Sequence, residues 1–325
     1  MTHLIIVWRV TEACALAGPF WAYDKRARRA RASAALDEAL ALGALLRDYA
    51  RATQRPVLVS WLGGEPLLWP PLWEAARVFV DEYGLRLSAT TNGTALRSAA
   101  VRDNVARYFS ELTLSVDGVG RAHDDLRGQP GLFEQLRSAV RDLRQRHPAL
   151  LLRANTVLLR ETVRDFPRLC ETLAEWGIQQ LSFNALGGRD RPEFFPDHCL
   201  RPADVEWLSA QLPALRLHLA ERGLTLLGGE PYLQRLRAFA AARPWPIADC
   251  APGQSFLFIN EQGFISPCSF TSAEYGVHWR DVRNLADLPA QLAERQQRHP
   301  APACADCPST QVFGKFSNSL LLHES

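Results

Sequence analysis

Val57-Leu-Val-Ser-Trp-Leu62-Gly63-Gly64-Glu65-Pro66 reads as a β-strand that runs straight into a tight turn. A run of large apolar and β-branched side chains ends at two glycines, and a proline closes the turn. Outward from this point, short apolar runs recur at 4–10 before it and at 85–91, 112–116, 151–159 and 180–184 after it. Stretches with apolar residues at helical spacing lie between them, at 34–50, 70–83, 132–146 and 163–176. Strands that alternate with helices imply βαβ units and a parallel sheet. Right-handed crossovers curl such a sheet into part of a barrel. The pattern predicts an α/β fold, a partial (β/α)6 TIM-like barrel.

Past residue 184 the pattern changes. Residues 187–196 are polar with glycine and proline, which predicts a long loop, and a helix is expected at about 202–222. Three prolines (244, 246 and 252) make 241–252 a linker. From Cys250 onward the chain is short runs, turns and cysteines, so residues 1–240 are expected to form the barrel and 241–325 a small cysteine-rich module. Gly-Gly-Glu-Pro occurs at 63–66 and again at 228–231 without any wider repeat, so the second copy is treated as coincidence.

The bulk properties exclude several classes. With 325 residues and 47% hydrophobic composition the chain can bury a sizeable core. A formal charge of +2 requires neither nucleic acid nor an anionic membrane as partner. The most apolar N-terminal run is interrupted by Arg9 and Glu12, too early for a spanning helix, and a cytoplasmic location is expected. In that reducing compartment the seven cysteines (14, 170, 199, 250, 268, 304 and 307) serve as metal ligands or buried side chains rather than disulfides.

The first strand ends in Arg9-Val-Thr-Glu-Ala-Cys14-Ala-Leu-Ala-Gly18-Pro-Phe20-Trp21-Ala-Tyr-Asp-Lys25. This resembles the opening motif of the radical S-adenosylmethionine (SAM) superfamily. There, three cysteines spaced C-x3-C-x-aromatic-C hold a 4Fe–4S cluster whose fourth iron chelates SAM. Cys14 and Phe20 stand in place here, but Gly18 and Trp21 occupy the second and third cysteine positions. Such clusters are held by thiolates. Glycine has no ligand atom and the Trp indole only donates, so Cys14 is a residual ligand or a buried free cysteine. No catalytic residue is assigned.

The resemblance continues through a SAM cradle. Gly63, Gly64, Glu65 and Pro66 match the segment that takes the SAM amino group, glycines allowing close backbone approach and the carboxylate pairing with an ammonium. Thr91 and Asn92, Ser115 and Asp117, Asn155, and Asn184 fall at the ends of successive strands, where barrel enzymes place their sites. The resemblance implies that these positions face the ribose, carboxylate and adenine. His123, in a His-Asp-x-x-Arg-Gly segment, looks structural.

At the other end, Cys250 is followed at x17 by Cys268, within Gly263-Phe-Ile-Ser-Pro-Cys268, and then by Cys304-Ala-Asp-Cys307. Four cysteines so spaced suit either zinc or a 4Fe–4S cluster. The Gly-x4-Cys element resembles the twitch module of radical SAM dehydrogenases, which implies one auxiliary cluster. The longer SPASM module needs further cysteines, and residues 308–325 hold none. The function implied is that of a radical SAM homologue with an auxiliary cluster, binding SAM or a substrate without radical chemistry. Its partner would be an active paralogue or a peptide substrate. The alternative is an enzyme using non-radical SAM chemistry or electron transfer through the auxiliary cluster.

Overall fold

A computed structural model describes residues 3–20, 30–188 and 191–316. The Trp21 position therefore lies outside the described residues. The first strand, β1 (Leu4–Thr11), alternates strictly: Leu4, Ile6, Trp8 and Val10 are buried while the residues between them are partly open. That is the period of a strand with helices on one face and a polar lumen on the other. Helix α1 (Leu36–Thr53) leads to β2 (Val57–Gly63), then α2 (Leu72–Arg77) to β3 (Arg86–Thr91). Next come α3 (Ala99–Tyr108), β4 (Glu111–Ser115), α4 (Arg121–Arg127), α5 (Leu132–Arg146), β5 (Leu151–Leu158), α6 (Phe166–Trp176) and β6 (Gln180–Ala185).

Strands β1 to β6 lie side by side in chain order, every pair parallel. The expected partial (β/α)6 barrel is thus present as an open sheet. Behind it the helices bury their apolar stripes; α5, for example, covers the sheet with Leu132, Phe133, Leu136, Ala139, Val140 and Leu143. Cys170 is fully buried on α6.

Periodicity passed over α3, and the reason is physical: only Val105 of that helix is buried, so it carries almost no apolar stripe. The helix expected over 70–83 is broken after Arg77 by a π-turn, Val78–Glu82. The second Gly-Gly-Glu-Pro has a clear local role. After α7 (Phe195–His198), α8 (Pro202–Glu221) and β7 (Thr225–Leu226), Gly229 caps α9 (Glu230–Ala240) and Pro231 sits in its first turn.

The loop at 241–255 then returns the chain to the front of the sheet. β8 (Phe256–Ile259) pairs in parallel with β1, Ile5 opposite Phe256 and Trp8 opposite Ile259. β9 (Phe264–Ser266) pairs antiparallel with β8, and beyond α10 (Ser272–Tyr275), β10 (Val277–His278) pairs with β9. Helix α11 (Leu288–Arg298) and the single turn α12 (Pro302–Ala305) complete the C-terminal region. The sheet is therefore continuous, in the order β10-β9-β8-β1-β2-β3-β4-β5-β6-β7. No helix among the described residues is long and apolar enough to cross a membrane.

Candidate functional site

The C-terminal ends of β1 to β6 gather the residues singled out in the first half of the sequence. The two glycines after β2 are required by the chain that leaves β1. A Cβ on Gly63 would lie 2.2 Å from the Thr11 carbonyl oxygen, and one on Gly64 would lie 2.3 Å from that of Ala13. In their place the backbones bond, Gly64 N to Thr11 O at 2.8 Å and Glu65 N to Ala13 O at 2.7 Å. The close approach expected of these glycines is thus made to the loop that carries Cys14.

Glu65 is fully buried and turned inward. Its Oε1 accepts from the Thr91 hydroxyl at 2.6 Å and from Leu67 N at 3.0 Å, and its Oε2 accepts from Asn92 N at 2.7 Å. The carboxylate clamps the ends of β2 and β3 together, and Pro66 opens the short helical turn that it caps. Burial, opposed by these donors, raises its pKa from 4.5 to about 7. Asn92 carries the clamp on to the N-terminal loop: its Nδ2 points at Cys14 Sγ at 3.8 Å, while its Oδ1 accepts from Thr94 N at 2.9 Å. Burial pushes the Cys14 thiol up.

Glu65→Ala is therefore expected to destabilise the fold by several kcal/mol, because each of three buried donors left without an acceptor costs about 1–3 kcal/mol. Chemical denaturation measures this loss. The pH dependence has a definite sign. Since the folded pKa lies above the ordinary carboxyl value, the contribution of Glu65 is fully present below about pH 4.5 and lost as the pH rises through 7. The stability difference between the wild type and Glu65→Gln should accordingly shrink from pH 5 to pH 8. A constant difference would show that Glu65 stays ionised throughout.

A second buried polar group supports the same loop from below. Arg127 Nη2 lies 2.5 Å from Asp117 Oδ2, both side chains being almost wholly excluded from solvent. Asp117 Oδ1 accepts from Val157 N at 2.8 Å, linking β4 to β5. Asp117 N donates to His123 Nδ1 at 3.2 Å. His123 is thereby held as a neutral acceptor, and burial next to Arg127 lowers its pKa to about 3. That is the structural role expected for it. The Arg127 guanidinium lies 6.0 Å from the Phe20 ring centre, and Gly128 packs against Ala17. Phe20 itself joins a small apolar cluster with Leu159 and Leu186. Gly18 is buried in the same loop.

On the far side of the lumen, Ser115, Asn155 and Ser182 stand in register across β4, β5 and β6. Asn155 Oδ1 accepts from Ser182 Oγ at 2.9 Å and from Asn184 Nδ2 at 3.1 Å. Side chains two apart on a strand share a face, which is why Ser182 and Asn184 both reach Asn155. This row is polar, with Ser115 and Ser182 buried and Asn155 and Asn184 partly open.

The four C-terminal cysteines come together elsewhere. Cys250, Cys268, Cys304 and Cys307 line one small cavity of about 20 Å³. Its other walls include Ile247, Phe256, Phe270 and Val312, with no charged residue among them. Burial raises the Cys250 and Cys304 thiols and pushes Cys307 up to about 11. Among the described residues, no three His, Cys, Asp or Glu side chains converge on a single metal-ion position. Cys199 lies apart, near Arg160. Two cavity residues had no sequence signal: Gln296, whose Nε2 donates to Cys250 Sγ at 3.3 Å, and Thr271, whose hydroxyl is 3.3 Å from Cys268 Sγ. They fall outside any cysteine motif.

Residues 36–173, which span the Gly-Gly-Glu-Pro turn and β2 to β5, match the family model of the radical SAM superfamily. The chain is 28% identical over 234 residues to an AdoMet-dependent heme synthase of Methanosarcina barkeri, covering 69% of this chain and 65% of that one. It thus spans just under two thirds of that relative. A second AdoMet-dependent heme synthase, from Nitratidesulfovibrio vulgaris, is 24% identical over 302 residues, 87% of this chain and 77% of the other. Among solved structures, Streptococcus suis SuiB bound to S-adenosylmethionine superposes with a TM-score of 0.67 at 15% identity, over 91% of this chain and 68% of SuiB. SuiB bound to its precursor peptide SuiA gives the same TM-score over 98% of this chain and 71% of SuiB. At such identity the superposition establishes the radical SAM partial-barrel fold. The family match begins beyond the Cys14 loop.

Proposed function

We propose that this protein is a radical SAM homologue that has lost the radical-generating cluster and keeps an auxiliary one, acting as a binding or scaffold partner in the modification of a peptide or natural product. The N-terminal loop carries the observation behind the first half. Gly18, buried where the family pattern has its second cysteine, has no ligand atom, and Trp21 stands at the third. A single thiolate, Cys14, does not fit the SAM-binding cluster, so no step is assigned to it.

The second half rests on the cavity. Four thiols on apolar walls, with no carboxylate or imidazole among them, are the donor set of a 4Fe–4S cluster. They ring a cavity rather than meet at a point, as suits a cluster that takes one thiolate at each iron. Cys250, Cys268, Cys304 and Cys307 would hold it, and when bound it supplies one-electron redox chemistry. Residues 1–240 then form the SAM-type barrel and 241–325 a twitch-like module attached to it through β8. The polar row of Ser115, Asn155 and Asn184 remains in the lumen to receive SAM or a substrate. The SuiB complexes with S-adenosylmethionine and with a precursor peptide support a peptide occupant, and an active paralogue would supply the chemistry. Electron transfer through the auxiliary cluster is the second reading, favoured by the enclosed thiol cavity.

The deciding experiment is SAM cleavage. Reduced, reconstituted protein incubated with SAM should release no 5′-deoxyadenosine above a control without protein. Sustained release would overturn the proposal.

A further inference from the structure

We propose that Gln296 and Thr271 set the electron affinity of the C-terminal cluster by donating hydrogen bonds to two of its four cysteine sulfurs; this rests on the 4Fe–4S assignment above. Gln296 comes from α11, is buried, and places its amide Nε2 3.3 Å from Cys250 Sγ. Thr271 is almost fully buried at the start of α10, with its hydroxyl 3.3 Å from Cys268 Sγ.

Ligation decides the direction of both bonds. A cysteine bound to iron has no proton left to give, so the sulfur can only accept. The hydroxyl of Thr271 must then donate, and of the two Gln296 contacts to Cys250 only the one from Nε2 survives. A third donor is the Ser309 backbone N–H on Cys307. Tyr275 lies against Cys304, but its hydroxyl donates to the His299 carbonyl at 2.8 Å and so serves another acceptor.

Reduction adds a negative charge to a cluster already anionic. Donors on the sulfurs stabilise that added charge and raise the potential. Among the described residues no arginine, lysine or histidine lines this cavity; Arg235 lies beside it, but its Nε donates to the Cys307 carbonyl at 3.1 Å rather than to a sulfur. Apolar walls make each hydrogen bond count for more than it would in water.

The test is a redox titration of anaerobically reconstituted full-length protein, followed by electron paramagnetic resonance of the reduced cluster, with iron and zinc measured on the same samples. Gln296→Leu and Thr271→Val should each keep the wild-type iron content and shift the midpoint potential downward. The double variant should shift further, since the two residues act on different sulfurs. Unchanged potentials with iron retained would overturn the role of Gln296 and Thr271 while leaving the cluster assignment intact. Wild-type protein that takes up zinc, or no metal, in place of iron would overturn the assignment and this inference with it. If Gln296→Leu fails to hold iron, the nearly isosteric Thr271→Val decides alone.

Discussion

Cys304→Ala should abolish the iron–sulfur absorbance of reconstituted protein, while Cys14→Ala should leave it at the wild-type level of about four irons per chain. The two thiols differ in their surroundings more than in their burial. Cys304 shares its cavity with three other cysteines. Cys14 has Asn92 and the Glu65 clamp nearby but no second thiol in the described part of its loop. Removing one of four ligands leaves a cluster with one iron short of a thiolate and therefore labile. Removing Cys14 takes away no ligand if the SAM-binding cluster is already absent. About eight irons in the wild type, or iron lost with Cys14, would mean that the N-terminal loop binds a cluster after all.

The converse experiment, Gly18→Cys combined with Trp21→Cys, should add a second cluster and some 5′-deoxyadenosine release where the parent shows none. Most of the support that such a loop needs is present. Phe20 is packed, Arg127 lies over its ring, Gly128 accommodates Ala17, and Asn92 reaches Cys14. A single restoration provides only two thiolates and should add neither iron beyond the wild-type level nor cleavage. Iron counting alongside the product assay separates a loop that rebinds a cluster without turnover from one that does not rebind it. A double variant with about eight irons and no product would show that the defect extends beyond the missing ligands, into the SAM cradle itself, whereas about four irons would show that the loop does not rebind a cluster.

Much of the architecture was legible in the residue order. Strand and helix periods are local properties, so the six barrel strands were placed to within a residue or two at most ends. Their parallel order follows from alternation with helices. Glycine pairs, strand-end polar residues and cysteine spacing are also local, and they marked both halves of the candidate site. Helix α3 escaped because a helix that buries one residue has no period to detect.

The roles of the marked residues were another matter. Sequence placed Glu65 in a SAM cradle, and packing turned its carboxylate inward onto Thr91, Asn92 and Leu67. Sequence placed two glycines for a ligand, and the crossing of two backbones used their missing Cβ atoms for the Thr11 and Ala13 carbonyls. The pairing of β8 with β1 joins segments some 250 residues apart, which no window of sequence encodes. Gln296 lies 46 residues from Cys250, on a helix whose apolar face alone determines its position. By itself the sequence determined which segments become strands and helices and which cysteines group together, because those depend on neighbours in the chain. Which side chains meet, and so what each polar group can do, was decided only when the sheet assembled and burial left every donor in need of an acceptor.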